Sequence, residues 1–390
     1  MHKTFSRSLR RPISFSSRGH RQCEVVIDEV ETWRLLDLGF AEPIKAQTFF
    51  EAVAMAVDRG LSPSTLILVL PSRPYVCIGY HQELEKEVDV EFCRSRGLEV
   101  YRRIIGGGAV YLDNNQLFYQ LVAHEDSPHT PKTVEDLFRV MVPAIVNAYR
   151  ELGVKASYKP INDVVVDGKK IAGTGAGRLG KAVMFVGNII FDLDYDLMAR
   201  VLKVPNEKFR DKLAKTMRDW VTTLRRELPQ LPDLEYVKKA VIKSFEGALG
   251  VKFELGEPTR DEIDIWEEEV KPRHTSDEWL RMFEGKRSDM ERIVKVAHDV
   301  KVIEIAHKAS KMVRITAVVK GNEIIDIMIT GDFFAIPEDS IRKLEEKLKG
   351  LRLEEKELSL AIQSSLEKTQ IPGLTVKDFV DAIMKIKASI

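Results

Sequence analysis

The stretch INDVVVDGKKIAGTGAGR, residues 161–178, carries the densest local signal in the chain. Its run DVVV has β character and reaches Asp167-Gly168, a pair suited to a tight hairpin turn. Two lysines follow, Lys169 and Lys170, then glycines at 173, 175 and 177, then Arg178. A second cluster, RRIIGGGAVYLD at residues 102–113, sets two arginines ahead of three consecutive glycines and a β-type run behind them. Glycine is costly to order and is used where something must approach the backbone closely or where main-chain N–H groups must turn around a bound group. Two such loops, each next to a strand and each flanked by cations, suit a single phosphorylated ligand. Neither is a known phosphate fingerprint: G-x-x-x-x-G-K-[ST] is absent, and GTGAGR lacks the βαβ setting and distant acid of a dinucleotide site.

Around these clusters, residues 25–200 alternate β-rich runs such as STLILVL with helical stretches such as KAQTFFEAVAMAVDRG. In TVEDLFRVMVPAIVNAYRELG, Leu137, Val140, Met141 and Ile145 share a helical face and Gly153 stands as a stop. Residues 205–290 read as charged helices extending the same domain. The polar stretch GKRSDMER, within 285–293, is the expected boundary. Beyond it, Val313, Ile315, Ala317 and Val319 alternate, Gly321-Asn322 turns the chain, and Ile325, Ile327 and Ile329 alternate back. A helix with Ile341, Leu344 and Leu348 in its stripe and Gly350 as its stop follows. The expected organisation is a basic Ser/Arg-rich tail (1–25), a large domain (26–290) and a small α+β domain (293–390).

The chain has 390 residues, with 60 Lys+Arg balanced by 60 Asp+Glu. That balance disfavours a nucleic-acid binder, which would show a basic excess, and no apolar run is long enough to cross a membrane as a helix. Cys23, Cys77 and Cys93 show no metal-ligand spacing and suit a reducing compartment. His81, His124 and His129 show no paired metal spacing and read as ordinary surface or loop residues. Residues 1–23 hold six Lys/Arg, five Ser and no acid, a composition shared by organellar presequences and disordered basic tails. The expected location is the cytoplasm, or an organelle if the tail acts as a presequence.

The two glycine segments resemble the signature segments of lipoate-protein ligases, which have the biotin/lipoate-ligase fold. WRLLDLG near residue 33, VCIGYHQ at 76–82, EVDVEFCRSRGLEVYRR, and KVPNEKFRDKLAKTMRDWVTTL at 203–224 add to the resemblance. GDFFAIPEDSIRKLEEKLKG and GLTVKDFVDAI are similar to the accessory domain of that family. The resemblance implies an α+β mixed-sheet catalytic domain with a helical extension and a smaller α+β accessory domain. It implies that lipoate attacks the α-phosphate of ATP to give lipoyl-AMP, and that a lysine of a lipoyl-carrier protein then takes the acyl group. The carrier would be a dehydrogenase acyltransferase subunit, the glycine-cleavage carrier or a specialised lipoate-binding protein.

By the same resemblance Lys170 is the central catalytic group. Arg102 or Arg103 edges the lipoate and phosphate pocket. Successive strand side chains face opposite ways, so one arginine faces the site, and Arg103 is preferred. Gly106, Gly107, Gly108 and Ala109 border the adenylate, as do Asn162, Asp163, Gly173, Thr174 and Gly175. Asp163 is the candidate Mg²⁺ ligand, or a strand-start residue. The small domain is expected to close over the adenylate or to present the carrier lysine. Two positions depart from the family pattern: Leu112 and Val186 stand where histidines are usual. The competing readings are an octanoyl transferase of the same fold, which would need an activated cysteine absent from GVKASYKP at 153–160, and a non-catalytic binding protein.

Overall fold

The computed structural model describes residues 30–203, 215, 217–283 and 300–388. The basic tail, much of the 203–224 segment and the expected boundary near 285–293 lie outside them.

An eight-stranded mixed sheet forms the main body, in the order β11-β1-β2-β6-β10-β9-β8-β7. Its strands are β1 (Thr32–Ala41), β2 (Thr65–Pro71), β6 (Gln116–His124), β7 (Ser157–Lys159), β8 (Asp163–Val166), β9 (Lys169–Leu179), β10 (Ala182–Ile190) and β11 (Lys252–Leu255). β1 pairs in parallel with both β2 and β11, and the remaining neighbours are antiparallel. A smaller sheet joins β3 (Tyr75–Ile78) to β4 (Glu99–Arg102) and β5 (Val110–Leu112).

β2 reads TLILVLP and is buried along its whole length, as a strand covered on both faces should be. One face is covered by α2 (Val134–Glu151) and α3 (Leu234–Leu249), which share a core with the sheet through Phe138, Met141, Tyr149 and Phe245. Thr133 caps α2 by accepting from the Asp136 N–H. The expected stripe is present: Leu137, Met141 and Ile145 are buried and Val140 packs at the edge. The opposite face is covered by α1 (Pro43–Asp58) and, toward the glycine loops, by Ile105 and Phe334.

The C-terminal residues build their own core on an antiparallel meander, β12 (Val300–Lys308), β13 (Met312–Lys320) and β14 (Glu323–Gly331). Helices α4 (Ser340–Leu348), α5 (Glu355–Leu366) and α6 (Val376–Ala388) complete it. The Gly321-Asn322 turn is present, with Gly321 at φ 57°. The alternation read for the returning strand needs a correction. Val319 pairs with Ile324 while Val318 pairs with Asp326, so Ile325 is the extra residue of a bulge. Ile324 is buried and Ile325 is 44% exposed. Strand β12 was not anticipated by the hairpin reading.

Ile325→Ser should therefore change stability by no more than about 0.5 kcal/mol, whereas Ile327→Ala, in the same strand but buried, should cost about 2–5 kcal/mol. Denaturant unfolding of the two variants checks this.

Candidate functional site

Lys170 owes its direction to an irregularity in the β8–β9 hairpin. Asp167 and Gly168 turn the chain with φ 47° and 80°, the left-handed pair of a tight two-residue turn. Lys169 then pairs with Val166 and Lys170 with Val165, but Ala172 pairs with Val164, leaving Ile171 as an extra residue. Without that bulge Lys170 and Gly173, three apart, would point to opposite faces. With it, Lys170, Asp163 and Gly173 share one face. The Ile171 side chain is fully buried in the core, and the Ile171 carbonyl accepts from the Tyr149 hydroxyl of α2 at 3.0 Å. The Lys170 carbonyl accepts from the Thr222 N–H at 2.8 Å.

On this face the Lys170 ammonium meets the Asp163 carboxylate at 2.7 Å. Both groups remain partly exposed, at 43% and 29%. The lysine lies over Gly173, where a Cβ would sit 2.9 Å from its Cε and Nζ. Gly175 and Gly177 continue the bare face and border Ile105, Phe334 and Glu338. Asn162 and Thr174 clamp the two strands: the Asn162 Nδ2 donates to the Thr174 carbonyl at 2.6 Å, and the Thr174 hydroxyl and N–H both donate to the Asn162 carbonyl. Their polar groups are thus largely spent on each other.

The two arginines have different surroundings, and it is Arg102, the one not preferred for the site, that is buried. Arg102 is fully buried and donates to the carbonyls of Gly79, Tyr80, Gln82, Trp279 and Leu280. It stitches three chain segments together and is not a pocket residue, because a buried guanidinium must spend its donors on nearby acceptors. Arg103 folds back on its own loop, donating to the carbonyls of Gly106 and Gly108 at 2.8 and 2.9 Å. The triple glycine therefore wraps around Arg103.

What comes close to the glycines is the chain itself. The Gly107 N–H donates to the Phe333 carbonyl at 3.2 Å, and a Cβ on Gly106 would lie 2.3 Å from that carbonyl oxygen. Gly107 has φ 96°, and a Cβ on Gly79 would lie 1.9 Å from the Gly107 oxygen. The Phe334 ring reaches across to Gly107 and Gly175. Gly108 and Ala109 follow in the chain and are half-buried, Ala109 against the core that holds Val76 and Tyr111.

More bonds fix the same docking. The Gly331 N–H donates to the His81 carbonyl at 3.1 Å, Thr330 donates to Glu83 at 2.6 Å, and the Glu338 carboxylate accepts from the Arg178 N–H at 3.2 Å. His81, expected at the surface, is buried and stacked on Phe333 with ring centroids 5.0 Å apart. Burial holds its imidazole neutral, with the pKa lowered to about 3. His124 and His129 are partly exposed. Leu112 is buried, and Val186 packs against the core on the Gly175 side.

Lys311, Phe334 and Glu338 were missed as site residues. GDFFAIPED was visible as a motif, but nothing local shows that it folds back onto residues 79 and 106–108.

Cys77 is fully buried and its thiol is pushed up by burial despite nearby Arg103. The Cys93 thiol is raised to about 11 by burial. Cys23 lies outside the described residues. No cluster of three or more potential metal ligands occurs among the described residues, and none of their helices is long and apolar enough to cross a membrane. Asp163 alone fits Mg²⁺ in the way that cation is usually held beside a nucleotide, by one partly exposed carboxylate supplemented by phosphate oxygens and water.

Tyr149→Phe removes the acceptor carbonyl's partner at the bulge. It should cost about 1–3 kcal/mol and lower turnover in a folded protein, read by thermal unfolding beside a steady-state assay. Gly173→Ala should keep the fold but displace the Lys170 head and abolish most activity. Glu338 supplies a pH test. Its carboxyl is raised from 4.5 to about 7 by burial, with Asp339 adding a smaller push. A raised carboxyl binds its proton more tightly in the docked state, so docking is strongest below 4.5 and weakens as pH rises through 7. Hydrogen exchange at residues 331–338, corrected for intrinsic rate, should show protection falling from pH 5.5 to 8 in the wild type and staying level in Glu338→Gln.

With the geometry established, comparison with known proteins identifies the architecture. Residues 42–246 match the lipoyl protein ligase A/B catalytic domain, and residues 312–383 match the bacterial lipoate protein ligase C-terminus. Octanoyltransferase LipM of Kyrpidia tusciae is 33% identical over 273 residues, covering 64% of this chain and 98% of that protein. A solved structure from Thermoplasma acidophilum, described as a bi-partite lipoate protein ligase with its E2 lipoyl domain, is similar at 30% identity and TM-score 0.57 over 64% of this chain and 96% of that one. P. falciparum LipL1 in complex with lipoate shares the fold over 92% of this chain and 99% of its own, with TM-score 0.66 at 14% identity. The mixed α+β fold is the one expected from the two glycine segments, and the chain belongs to the lipoyl protein ligase A/B family of lipoate ligases and acyltransferases.

Proposed function

We propose that this protein is an ATP-dependent lipoate–protein ligase. The observation that carries this reading is the contrast between sulfur and nitrogen at the site. The thiols of Cys77 and Cys93 are buried and held protonated, and the segment 153–160 has no cysteine, so no described thiol is set up as the nucleophile that thioester transfer needs. The Lys170 ammonium, by contrast, stands beside Asp163 on a face kept bare by Gly173, Gly175 and Gly177. The C-terminal match to a ligase supports the same reading, because the match to LipM covers only 64% of this chain.

In the proposed reaction a carboxylate oxygen of lipoate attacks the α-phosphorus of ATP. The bond from that phosphorus to the bridging oxygen breaks, and pyrophosphate leaves with the electron pair. Lys170 meets the acid and the α-phosphate oxygens, holding two anions together while charge builds between them. Asp163 holds Lys170 in place and, with the phosphates, is the group that would hold Mg²⁺, which supplies charge neutralisation when bound. In the second step the neutral amine of a carrier lysine attacks the acyl carbon, AMP leaves with the electron pair, and one proton is released. The acceptor is a lipoyl-carrier domain, the partner type named for the Thermoplasma enzyme.

Octanoyl transfer is the second reading, favoured by the name of the 33% identical relative. One set of assays separates the two. The purified protein with Mg-ATP and lipoate, without acceptor, should release pyrophosphate and retain a lipoyl-AMP mass, and Lys170→Ala should lose both. The variant Cys23→Ser, Cys77→Ala, Cys93→Ala should keep its ATP-dependent activity. ATP-independent acyl transfer from an octanoyl thioester, lost in that variant, would establish the transferase instead.

A further inference from the structure

The C-terminal meander brings a cation to the site. Lys311 sits in the turn between β12 and β13, where the Ala309 N–H donates to the Lys311 carbonyl at 3.1 Å. Its stem passes beside Gly373, where a Cβ would lie 3.7 Å from Lys311 Cγ and 2.8 Å from Ile161 Cδ1. Ile161 is two residues before Asp163, so this turn abuts the start of β8. The Lys311 ammonium lies 5.6 Å from the centre of the Phe334 ring, the ring that reaches Gly107 and Gly175.

The charges around Lys311 do not neutralise it. Among the described residues it makes no ion pair or hydrogen bond from its ammonium. Asp163 and Asp332 attract it, and Lys170 and Lys308 repel it. Both carboxylates have other partners: Asp163 is held by Lys170 at 2.7 Å, while Asp332 accepts from the Met312 N–H and faces Lys308 at 3.9 Å. Lys308, Lys311 and Lys170 thus outnumber Asp163 and Asp332. A half-buried ammonium that has an aromatic ring nearby but no ion-pair or hydrogen-bond partner among the described residues is costly, and burial pulls its pKa down. An anion arriving between Lys170 and Lys311 would relieve that cost.

We infer that Lys311 is a second cationic contact for the anion held by Lys170, and that it takes a phosphate group of the nucleotide. This deepens the ligase reading and rests on it for the identity of the anion. Phosphate is favoured over the carboxylate of the acid because a triphosphate spans several ångströms and carries charge enough for two separated lysines, whereas one carboxylate is already served by Lys170. The site is then complete only with the C-terminal meander docked. Activation, which has the triphosphate, depends on Lys311; acyl transfer from the finished adenylate, with its single phosphate, depends on it far less.

The test uses the full chain with Lys311→Met and Lys311→Arg. Calorimetry with a non-hydrolysable ATP analogue reads the anion site directly, and Lys311→Met should weaken binding at least about tenfold while Lys311→Arg retains most of it. Pyrophosphate release with lipoate should show a raised KM for ATP in Lys311→Met. Transfer from added lipoyl-AMP to a lipoyl domain should stay within about threefold of the wild type. Thermal unfolding of Lys311→Met should be unchanged or raised, since it removes an unpaired half-buried charge. Unchanged affinity for the analogue in Lys311→Met, or equal loss of activation and transfer, would overturn the inference. Analogue binding that depends on Lys311 in a wild type that releases no pyrophosphate would sink the ligase reading and leave the anion site standing. No analogue binding by the wild type would sink both.

Discussion

The contact on which the site depends is backbone against backbone. At Gly79, Gly106 and Gly107 three stretches of main chain meet closely enough that any Cβ on Gly79 or Gly106 would overlap a carbonyl. The glycine segment and Phe333–Phe334 behave as two surfaces of one joint, sealed by the Gly107 to Phe333 hydrogen bond. The segment is stiffened from behind by Arg103, whose guanidinium gathers the Gly106 and Gly108 carbonyls. Arg102 anchors the neighbouring loop from below. Two adjacent arginines thereby hold two different stretches of backbone, while the bare glycine face of β9 carries a lysine. Lysine suits the role proposed for it, because a point charge on a flexible stem can follow a group whose charge moves during reaction.

Placement of that lysine is a second constraint, and it operates through a residue with no polar side chain. Ile171 is driven into the core, its carbonyl is satisfied by a tyrosine from α2, and the strand gains one residue. The gain rotates Lys170 onto the face that Gly173, Gly175 and Gly177 leave open. Core packing on one side of the sheet thus decides what chemistry is available on the other.

Much of this was legible in the sequence, and the reason is locality. The turn at Asp167-Gly168, the apolar stripe and Gly153 stop of helix α2 and the hairpin at Gly321-Asn322 are each specified within a few residues, by φ preferences and hydrophobic period. Ile325 shows the limit even there, since a bulge shifts the alternation without altering composition. What Arg102 does was not legible because its acceptors lie at residues 79–82 and 279–280, far along the chain. His81 was misread for a related reason, since its burial is supplied by Phe333. Lys311 reaches residues near 161 only through docking, a relation that no local pattern encodes.

The parallel pairing of β1 with β11 has a consequence for biosynthesis. The first strand of the main sheet finds one of its two neighbours at Lys252–Leu255, so more than two hundred residues must leave the ribosome before that edge can close. Loop-closure entropy of this kind slows folding. It also fixes where the polypeptide can be divided. A break before Leu255 would separate partners of one hydrogen-bonded ladder, while a break between that ladder and β12 would leave both ladders whole.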